Sequence, residues 1–259
     1  IIHHPDVRRM LLTMKSQIEA MRAMVYFTAA ELDYSRKSES TEDQKRHGDR
    51  VDLMTPVVKG WCSEVSQELT SIGLQIHGGM GYIEETGAAQ HFRDARITTI
   101  YEGTTGIQAN DLVGRKILKD KGLALQTLLQ DIELTISELD TGHSIITRIE
   151  DELSESIKSV NSSLNYLMNH YRDDQHLAGS ISYNFLMMLG TLIAGWMALK
   201  SAQAAAKKIQ SNASDQAFYE SKITSAQFFT EQILPKVHAY GKSIRTSSAA
   251  TMAMTEEQF

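Results

Sequence analysis

The chain has 259 residues, 42% of them hydrophobic, with 26 Lys and Arg against 32 Asp and Glu, so its formal net charge is −6. This length supports one large or two ordinary domains, and the negative charge without a basic block argues against nucleic acid as the main partner. A single cysteine, Cys62, excludes a disulfide framework and a cysteine-based structural zinc site, so we expect a reducing, cytoplasmic compartment.

The N-terminal half predicts two long helices. Only three Pro, at positions 5, 56 and 235, and apolar residues spaced by three and four predict an all-α protein. A first helix is predicted over residues 5–32, because Pro suits a first helical turn and the apolar positions after it share one face. Residues 33–52 contain almost no apolar side chains that could be buried, and this pattern predicts a solvated loop. A second helix is predicted to begin within 51–56 and to end at Gly78.

The remaining elements are also helical. A short helix is predicted within residues 86–97, followed by a loop, and a further helix over 105–119. Beyond Gly122 the pattern predicts helices separated by polar breaks, at 123–139, 144–171, 180–210 and 215–246. The glycine-rich motifs end near residue 120, so we predict one domain over 1–119 and a second helical domain over 120–259.

One helix raises the question of a membrane. Residues 175–199 contain no Asp, Glu, Lys or Arg and approach the ~20 residues of a bilayer span. Uncharged helices of this length also form the centres of large helical bundles, so we favour a buried core helix and expect no stable membrane insertion. The chain opens at Ile1 without a charged segment before an apolar one, so we expect no secretory signal and a segment of a longer protein.

The first motif is Gln75-Ile76-His77-Gly78-Gly79, at the end of the second predicted helix. Glycines at this point let the backbone approach a ligand or another chain closely. The ordinary alternative is a glycine C-cap and a turn, which is how many helices end. The residues by themselves leave both interpretations open.

The second motif is Ile100-Tyr101-Glu102-Gly103-Thr104, and Thr105 and Gly106 follow it. Glu102 lies between apolar residues and the start of a predicted helix, where a desolvated carboxylate can act as a general base. The ordinary alternative is an acidic residue favoured by the positive end of the helix dipole.

The two motifs, in this order and at this separation, resemble those of the acyl-CoA dehydrogenase family. Residues 100–104 look like the catalytic loop of the family, and residues 75–79 look like its flavin-contacting turn. The opening residues 4–11 are similar to the start of a bundle helix in its larger bacterial members, and the resemblance is strong to about residue 118. From there to Phe259 the chain resembles the extra helical domain of those members, including the type that acts on 3-methylmercaptopropionyl-CoA. The implied fold is the C-terminal helical bundle without its first helix, followed by a further α-helical domain.

The resemblance implies α,β-dehydrogenation of an acyl-CoA thioester with FAD as cofactor. Glu102 takes a proton from Cα while a hydride passes from Cβ to flavin N5, and Gly103 leaves room for the substrate. A Glu at 102, where some relatives have a small residue, favours a straight-chain or thioether-bearing acyl group. The residues implied to contact the cofactor are Gln75, Ile76, His77, Gly78, Gly79, Thr104, Thr105 and Gly106. Gly106 departs from the Gln of some members, which argues against a side-chain contact there.

The resemblance also implies partners. Electron-transfer flavoprotein is the implied electron acceptor, and the family's turn touches the flavin of a neighbouring subunit, which implies a homodimer or homotetramer. Two alternatives stay open, an acyl-CoA oxidase that uses oxygen and a non-catalytic helical assembly module. The family's N-terminal domain, β domain and first bundle helix are not recognisable here, so we expect the chain by itself to be inactive.

Other polar residues have ordinary interpretations. Arg93, Asp94 and Arg96 are predicted to form ion pairs at the surface of a helix or between helices. The nine His show no spacing typical of a metal site.

Overall fold

The computed structural model describes residues 1–137 and 143–259, which fold into helices joined by short loops, and these residues contain no β-strand. The prediction of an all-α protein is therefore confirmed. The α-helices are α1 (Pro5–Lys37), α2 (Thr41–His77), α3 (Gly79–Tyr82), α4 (Ala88–Ile97), α5 (Thr105–Asn110), α6 (Leu123–Ser137), α7 (Ser144–His170), α8 (Leu177–Gln210), α9 (Gln216–Gln232) and α10 (Lys236–Ile244). A π-helical segment, Asp111–Leu118, continues α5, and single 3-10 turns lie at Glu84–Thr86 and Glu256–Gln258.

The first two helices form a long antiparallel hairpin, so the predicted loop over residues 33–52 is wrong. Helix α1 continues to Lys37 and α2 begins at Thr41, about ten residues before its predicted start. Ser40 caps α2 by accepting a hydrogen bond from the backbone N–H of Asp43 at 3.2 Å. Across the hairpin, Nδ1 of His47 lies 2.6 Å from a carboxylate oxygen of Glu31. This segment is therefore stabilised by its cap and polar contacts rather than by burial.

The segments around the two motifs agree with the sequence predictions. Helix α2 ends at His77, with Gly78 as its C-cap, and the short helix expected before residue 97 is α4. The helix expected over 105–119 is present as α5 and its π-helical continuation, and the π-helical geometry was not anticipated.

The C-terminal half contains one wrong boundary. The predicted helix over 215–246 is two helices, α9 and α10, separated at Ile233–Pro235, because Pro235 has no N–H with which to continue the helical ladder. Helices α7 and α8 begin and end within three residues of their predicted bounds. The predicted end of α6 at residue 139 and the break at 140–142 lie outside the described residues.

Helix α8 is the centre of the bundle. It packs against α1, α2, α5, α7, α9 and α10, and every residue from 185 to 199 is buried. Among the described residues, α8 is also the one helix long and apolar enough to cross a membrane, with 72% of its most apolar window buried inside the fold. The helix thus occupies the core position favoured by the sequence analysis.

The hydrophobic core is continuous across the predicted domain boundary. One cluster of buried side chains reaches from Ala20 on α1 to Ile244 on α10. At its centre the indole Nε1 of Trp61 on α2 donates to Oγ1 of Thr191 on α8 at 3.2 Å. The division at residue 120 stays a prediction, since the two halves share this core.

Candidate functional site

The first motif forms the last turn of α2 and the bend after it. Gln75 and His77 are exposed and Ile76 is half-buried. Gly78 has φ +62° and donates its N–H to the carbonyl of Gln75 at 3.1 Å, so it fulfils the C-cap role weighed in the sequence analysis. A side chain at Gly78 or Gly79 would meet nothing within 4 Å. The bend therefore combines a helix C-cap with an open surface that another molecule can approach.

Two contacts fix the shape of this bend. A Cβ at Gly81 would lie 2.4 Å from the carbonyl oxygen of Leu74, so the chain turns back tightly against α2. Nδ1 of His77 lies 2.7 Å from the carbonyl oxygen of Gly73. Because a carbonyl only accepts, Nδ1 carries the proton in this contact, and Nε2 of the exposed ring is free to face a ligand.

The second motif forms the loop between α4 and α5. The N–H of Tyr101 donates to the carbonyl of Ile97 at 3.1 Å, and the N–H of Thr105 donates to the carbonyl of Thr99 at 3.1 Å. Thr99 itself is 4% exposed. The two ends of the loop are thereby held together, and Glu102 lies at its tip.

Glu102 and Gly103 adopt consecutive left-handed conformations, with φ of +51° and +89°. This region is unfavourable for a residue with a side chain, and such strain is concentrated at functional sites. A Cβ at Gly103 would lie 2.6 Å from Nε2 of Gln108, so the side chain of Gln108 occupies the space that a larger residue would need. In the described part of the chain the backbone N–H of Glu102 has no hydrogen-bond acceptor.

The side chain of Glu102 is exposed, and so are its apolar neighbours. Ile97, Ile100 and Tyr101 are each about half exposed, and Ile107 is 58% exposed. The described residues do not bury the carboxylate, and they surround it with apolar surface. Desolvation of Glu102 therefore requires cover from outside this chain.

The hydroxyl groups that follow the loop bind within the chain. Thr104 caps α5 by accepting from the N–H of Ile107 at 3.2 Å. Thr105 is 6% exposed, and its hydroxyl donates to a carboxylate oxygen of Glu64 at 2.6 Å. Gly106 is exposed and presents only backbone. A molecule bound here would meet the backbone of these residues rather than the hydroxyl of Thr105.

Two residues on α2, which the sequence analysis missed, hold this loop. Lys59 donates from Nζ to the carbonyl oxygens of Thr98 at 2.8 Å and Gly103 at 2.6 Å, and Glu64 accepts from Thr105. The signal for Lys59 is weak, namely a charged residue inside the apolar run Val57-Val58-Lys59-Gly60-Trp61. The site therefore includes a face of α2 as well as the two motifs.

The negative charge of Glu64 also acts on two tyrosines of the C-terminal helices. Burial, then the negative charge of Glu64, raises the pKa of Tyr183 on α8. Burial, then the charges of Glu68 and Glu64, raises the pKa of Tyr240 on α10. Both phenols are thus kept neutral beside an acidic face of α2 that supports the loop.

The polar residues of α4 agree only in part with their predicted ion pairs. Arg93 forms an ion pair with Glu84 at 2.9 Å, as predicted, whereas Arg96 contacts the hydroxyl of Thr99 rather than a carboxylate. In the described part of the chain Asp94 forms no salt bridge. Within residues 1–137 and 143–259, no group of His, Cys, Asp and Glu has a geometry that could hold a metal ion.

Two family profiles match the chain. The profile described as "Acyl-CoA dehydrogenase, C-terminal domain" matches residues 1–117, and the profile described as "Acetyl-CoA dehydrogenase C-terminal like" matches residues 128–255.

Curated relatives match along most of the chain. It is 41% identical to a 3-methylmercaptopropionyl-CoA dehydrogenase from Ruegeria pomeroyi, over 92% of this chain and 40% of the relative. It is 34% identical to the broad-specificity linear acyl-CoA dehydrogenase FadE5 from Mycobacterium tuberculosis, over 100% of this chain and 44% of the relative. The chain thus spans less than half the length of these relatives.

The fold also matches solved structures. An acyl-CoA dehydrogenase from Bacillus anthracis, complexed with FAD, superposes with a TM-score of 0.72 at 21% identity, over 94% of this chain and 42% of that one. ACDH-11 from Caenorhabditis elegans, in complex with C11-CoA, superposes with a TM-score of 0.75 at 18% identity, over 98% of this chain and 41% of that one.

Proposed function

Since the chain belongs to the acyl-CoA dehydrogenase family, as a C-terminal region of it, we propose that the protein it forms part of dehydrogenates an acyl-CoA thioester between Cα and Cβ. The observation that carries this proposal is the exposed Glu102 at the tip of a loop held at both ends. A carboxylate in this position can reach a substrate that lies against the loop.

In this proposal Glu102 accepts the α-proton of the thioester. That proton is too weakly acidic for an unassisted carboxylate, so the enolate must be stabilised as it forms. The unpaired backbone N–H of Glu102 is a suitable donor to the thioester oxygen, and a donor of this kind contributes about 3–4 kcal/mol. Glu102 thus supplies both the base and one donor of the oxyanion hole.

The apolar surface around Glu102 supports the same role. Ile97, Ile100, Tyr101 and Ile107 leave an exposed apolar rim. The acyl chain and the remaining domains of the full-length protein would cover this rim and remove water from the carboxylate. Exclusion of water favours proton transfer, because a desolvated carboxylate is a stronger base.

FAD is the proposed cofactor, and when bound it supplies the acceptor, N5, for the hydride that leaves Cβ. The residues present fit one edge of such a molecule. Gly78 and Gly79 leave open space at the end of α2, and His77 presents a free Nε2 there. Gly106 and the backbone of Thr104 and Thr105 offer the second contact, and most of the cofactor site would come from outside this chain.

The name of the R. pomeroyi relative favours a short thioether-bearing substrate, and the name of FadE5 favours linear acyl groups. We propose electron-transfer flavoprotein as the electron acceptor. One further relative, 32% identical over 42% of this chain, is named as subunit CarC of a caffeyl-CoA reductase-Etf complex. Oxygen is the alternative acceptor, and stoichiometric peroxide would identify an oxidase.

We also propose a homodimer or homotetramer. The surface after the first motif is apolar and exposed, with Met80 at 58% and Tyr82 at 86%. A second subunit would bury these side chains. A helical assembly module without catalysis remains the alternative if the full-length protein lacks activity.

The proposal is tested with Glu102→Gln in the full-length protein, assayed against acyl-CoA substrates of different chain length. The amide keeps the shape of the side chain but cannot accept the proton, so turnover should fall at least about 100-fold while flavin content and melting temperature stay unchanged. Glu85→Gln, at an exposed position between the two motifs, is the matched control and should keep full activity. Turnover of Glu102→Gln within a few-fold of the wild-type value would exclude Glu102 as the base.

A further inference from the structure

The loop that carries Glu102 has a strained backbone conformation, and hydrogen bonds with side chains of α2 hold it in place. Glu102 has φ +51°, and its side chain is exposed. A non-glycine residue in this region costs about 1–3 kcal/mol, and the conformation persists only when the surroundings determine it. The groups that hold the backbone on either side of Glu102 therefore control where its carboxylate points.

The ammonium group of Lys59 makes the most direct of these contacts. Its Nζ lies 2.8 Å from the carbonyl oxygen of Thr98, where α4 ends, and 2.6 Å from that of Gly103, the residue after Glu102. Hydrogen bonds from a charged donor are about twice as strong as neutral ones. Among the described residues no carboxylate forms a salt bridge with Lys59, so its hydrogen bonds go to the loop.

A second contact on α2 completes the support. Glu64, about one and a half helical turns along α2 from Lys59, accepts from the hydroxyl of Thr105 at 2.6 Å. The loop is therefore attached to α2 before and after Glu102. The contact of Lys59 with Thr98 has an ordinary explanation, because a lysine near the C-terminus of a helix such as α4 satisfies a terminal carbonyl. The carbonyl of Gly103 belongs to no helix, however, and its contact has no such explanation.

We infer that Lys59 is a positioning residue for the proposed dehydrogenation, because its ammonium ties Thr98 to Gly103 and so sets the direction of the Glu102 carboxylate. The inference rests on the proposed function. Loss of the ammonium would leave Glu102 present and ionisable but displaced from the α-proton. A displacement of about 1 Å at a reacting group can cost about 100-fold in rate.

The experiment measures anaerobic flavin reduction by acyl-CoA in single turnovers of the full-length holoenzyme. Lys59→Met keeps an unbranched side chain, one atom shorter than that of lysine, and removes the charged ammonium group. We expect the limiting reduction rate to fall by about 10–100-fold, the acyl-CoA concentration at half saturation to change less than about 3-fold, and the isotope effect with α-deuterated substrate to rise. Lys45→Met, on the exposed face of α2, is the matched control and should leave the rate unchanged.

A chemical rescue separates positioning from a general effect on folding. Lys59→Cys is treated with 2-bromoethylamine, which attaches an ammonium at nearly the distance found in lysine. Burial raises the pKa of Cys62 to about 12, so that thiol should resist the reagent, and the treated wild-type enzyme shows whether any other thiol matters. Treatment should restore at least about one-third of the wild-type reduction rate.

The outcomes are distinct. A wild-type reduction rate in Lys59→Met, or a slow Lys59→Cys enzyme that aminoethylation fails to restore, would overturn the inference while leaving the proposed function intact. If the wild-type enzyme reduces its flavin with no acyl-CoA in the panel, the proposed function fails, and the inference fails with it.

Discussion

Substituting Gly190 by Ala should force apart the two helices that form the centre of the bundle. A Cβ at Gly190 on α8 would lie 2.3 Å from Cγ, 2.5 Å from Cδ1 and 2.6 Å from Cβ of Trp61 on α2. Rotation of the indole cannot relieve all of these contacts, because Cβ of Trp61, at 2.6 Å, is fixed by the backbone and does not move when the side chain changes rotamer. Ordinary contact begins near 3.4 Å, so the helices must separate by about 1 Å.

The expected destabilisation has two parts. Overpacking of a core costs about 1–3 kcal/mol. Separation also stretches the 3.2 Å hydrogen bond from Trp61 to Thr191, and a buried bond lost in this way costs about 1 kcal/mol. The total of about 2–4 kcal/mol corresponds to a melting temperature lower by about 4–16 °C, at about 2–4 °C per kcal/mol for a chain of this size.

The assay is thermal unfolding of the 259-residue chain, followed by far-ultraviolet circular dichroism. Gly179→Ala is the control in the same helix, because a Cβ there would meet nothing within 4 Å, and it should not lower the melting temperature. If Gly190→Ala melts within about 2 °C of wild type, α2 and α8 do not pack as closely as the structure has them.

Further expectations follow from other parts of the chain. Gly48→Ala, at an open position inside α2, should raise the free energy of unfolding by up to about 1 kcal/mol in urea titrations, because Ala favours a helix over Gly. An unchanged free energy of unfolding would instead support the predicted loop over residues 33–52. Gly103→Val should lower turnover of the full-length protein far more than its melting temperature, because φ is +89° and Gln108 fills the space; equal losses would indicate a structural glycine. Burial opposes ionisation of Glu19, but hydrogen bonds from Lys15 and Lys222 outweigh this effect and lower the pKa of the carboxyl group. The ionised carboxylate therefore stabilises the fold above its ordinary pKa of about 4.5, and this stabilisation is lost as the pH falls. Lys222→Met should therefore cost about 1 kcal/mol at neutral pH and less below pH ~4, and a cost independent of pH would contradict this pairing. The 259-residue chain with excess FAD should stay helical but colourless after desalting, and a yellow, active protein would show that this region alone suffices.

Hydrophobic periodicity predicted the helices that bury many apolar side chains, and it missed the helical segments that bury few. Helices α7 and α8 were located closely, because their apolar positions recur throughout. The predicted loop over 33–52 failed since its helical structure depends on the Ser40 cap, on good helix-forming polar residues and on the contact between Glu31 and His47. These contributions come from a helix cap and from a polar contact between two helices, so they produce no periodic pattern of apolar residues in the sequence.

The candidate site was predictable only as far as its motifs. The glycines and Glu102 stand out in the sequence. Gly78 and Gly79 lie at the end of α2, and Glu102 and Gly103 lie at the tip of the loop between α4 and α5. Lys59 and Glu64 precede that loop by about forty residues, and their contacts exist only once α2 packs beside it. One backbone carbonyl is indistinguishable from another in a sequence, so no motif could identify Gly103 as an acceptor for lysine.

The contact between Trp61 and α8 also sets the order in which the protein can mature on the ribosome. Its two partners, Trp61 and Thr191, are 130 residues apart in the chain. At about 5–20 residues per second, α2 waits about 6–26 s before the helix that covers its tryptophan has been synthesised. During that interval the segment bearing Lys59 and Glu64 exposes an apolar face, which is the kind of surface that chaperones bind. The nascent chain would therefore complete the loop that carries Glu102 late, although that loop is encoded in the first half of this sequence.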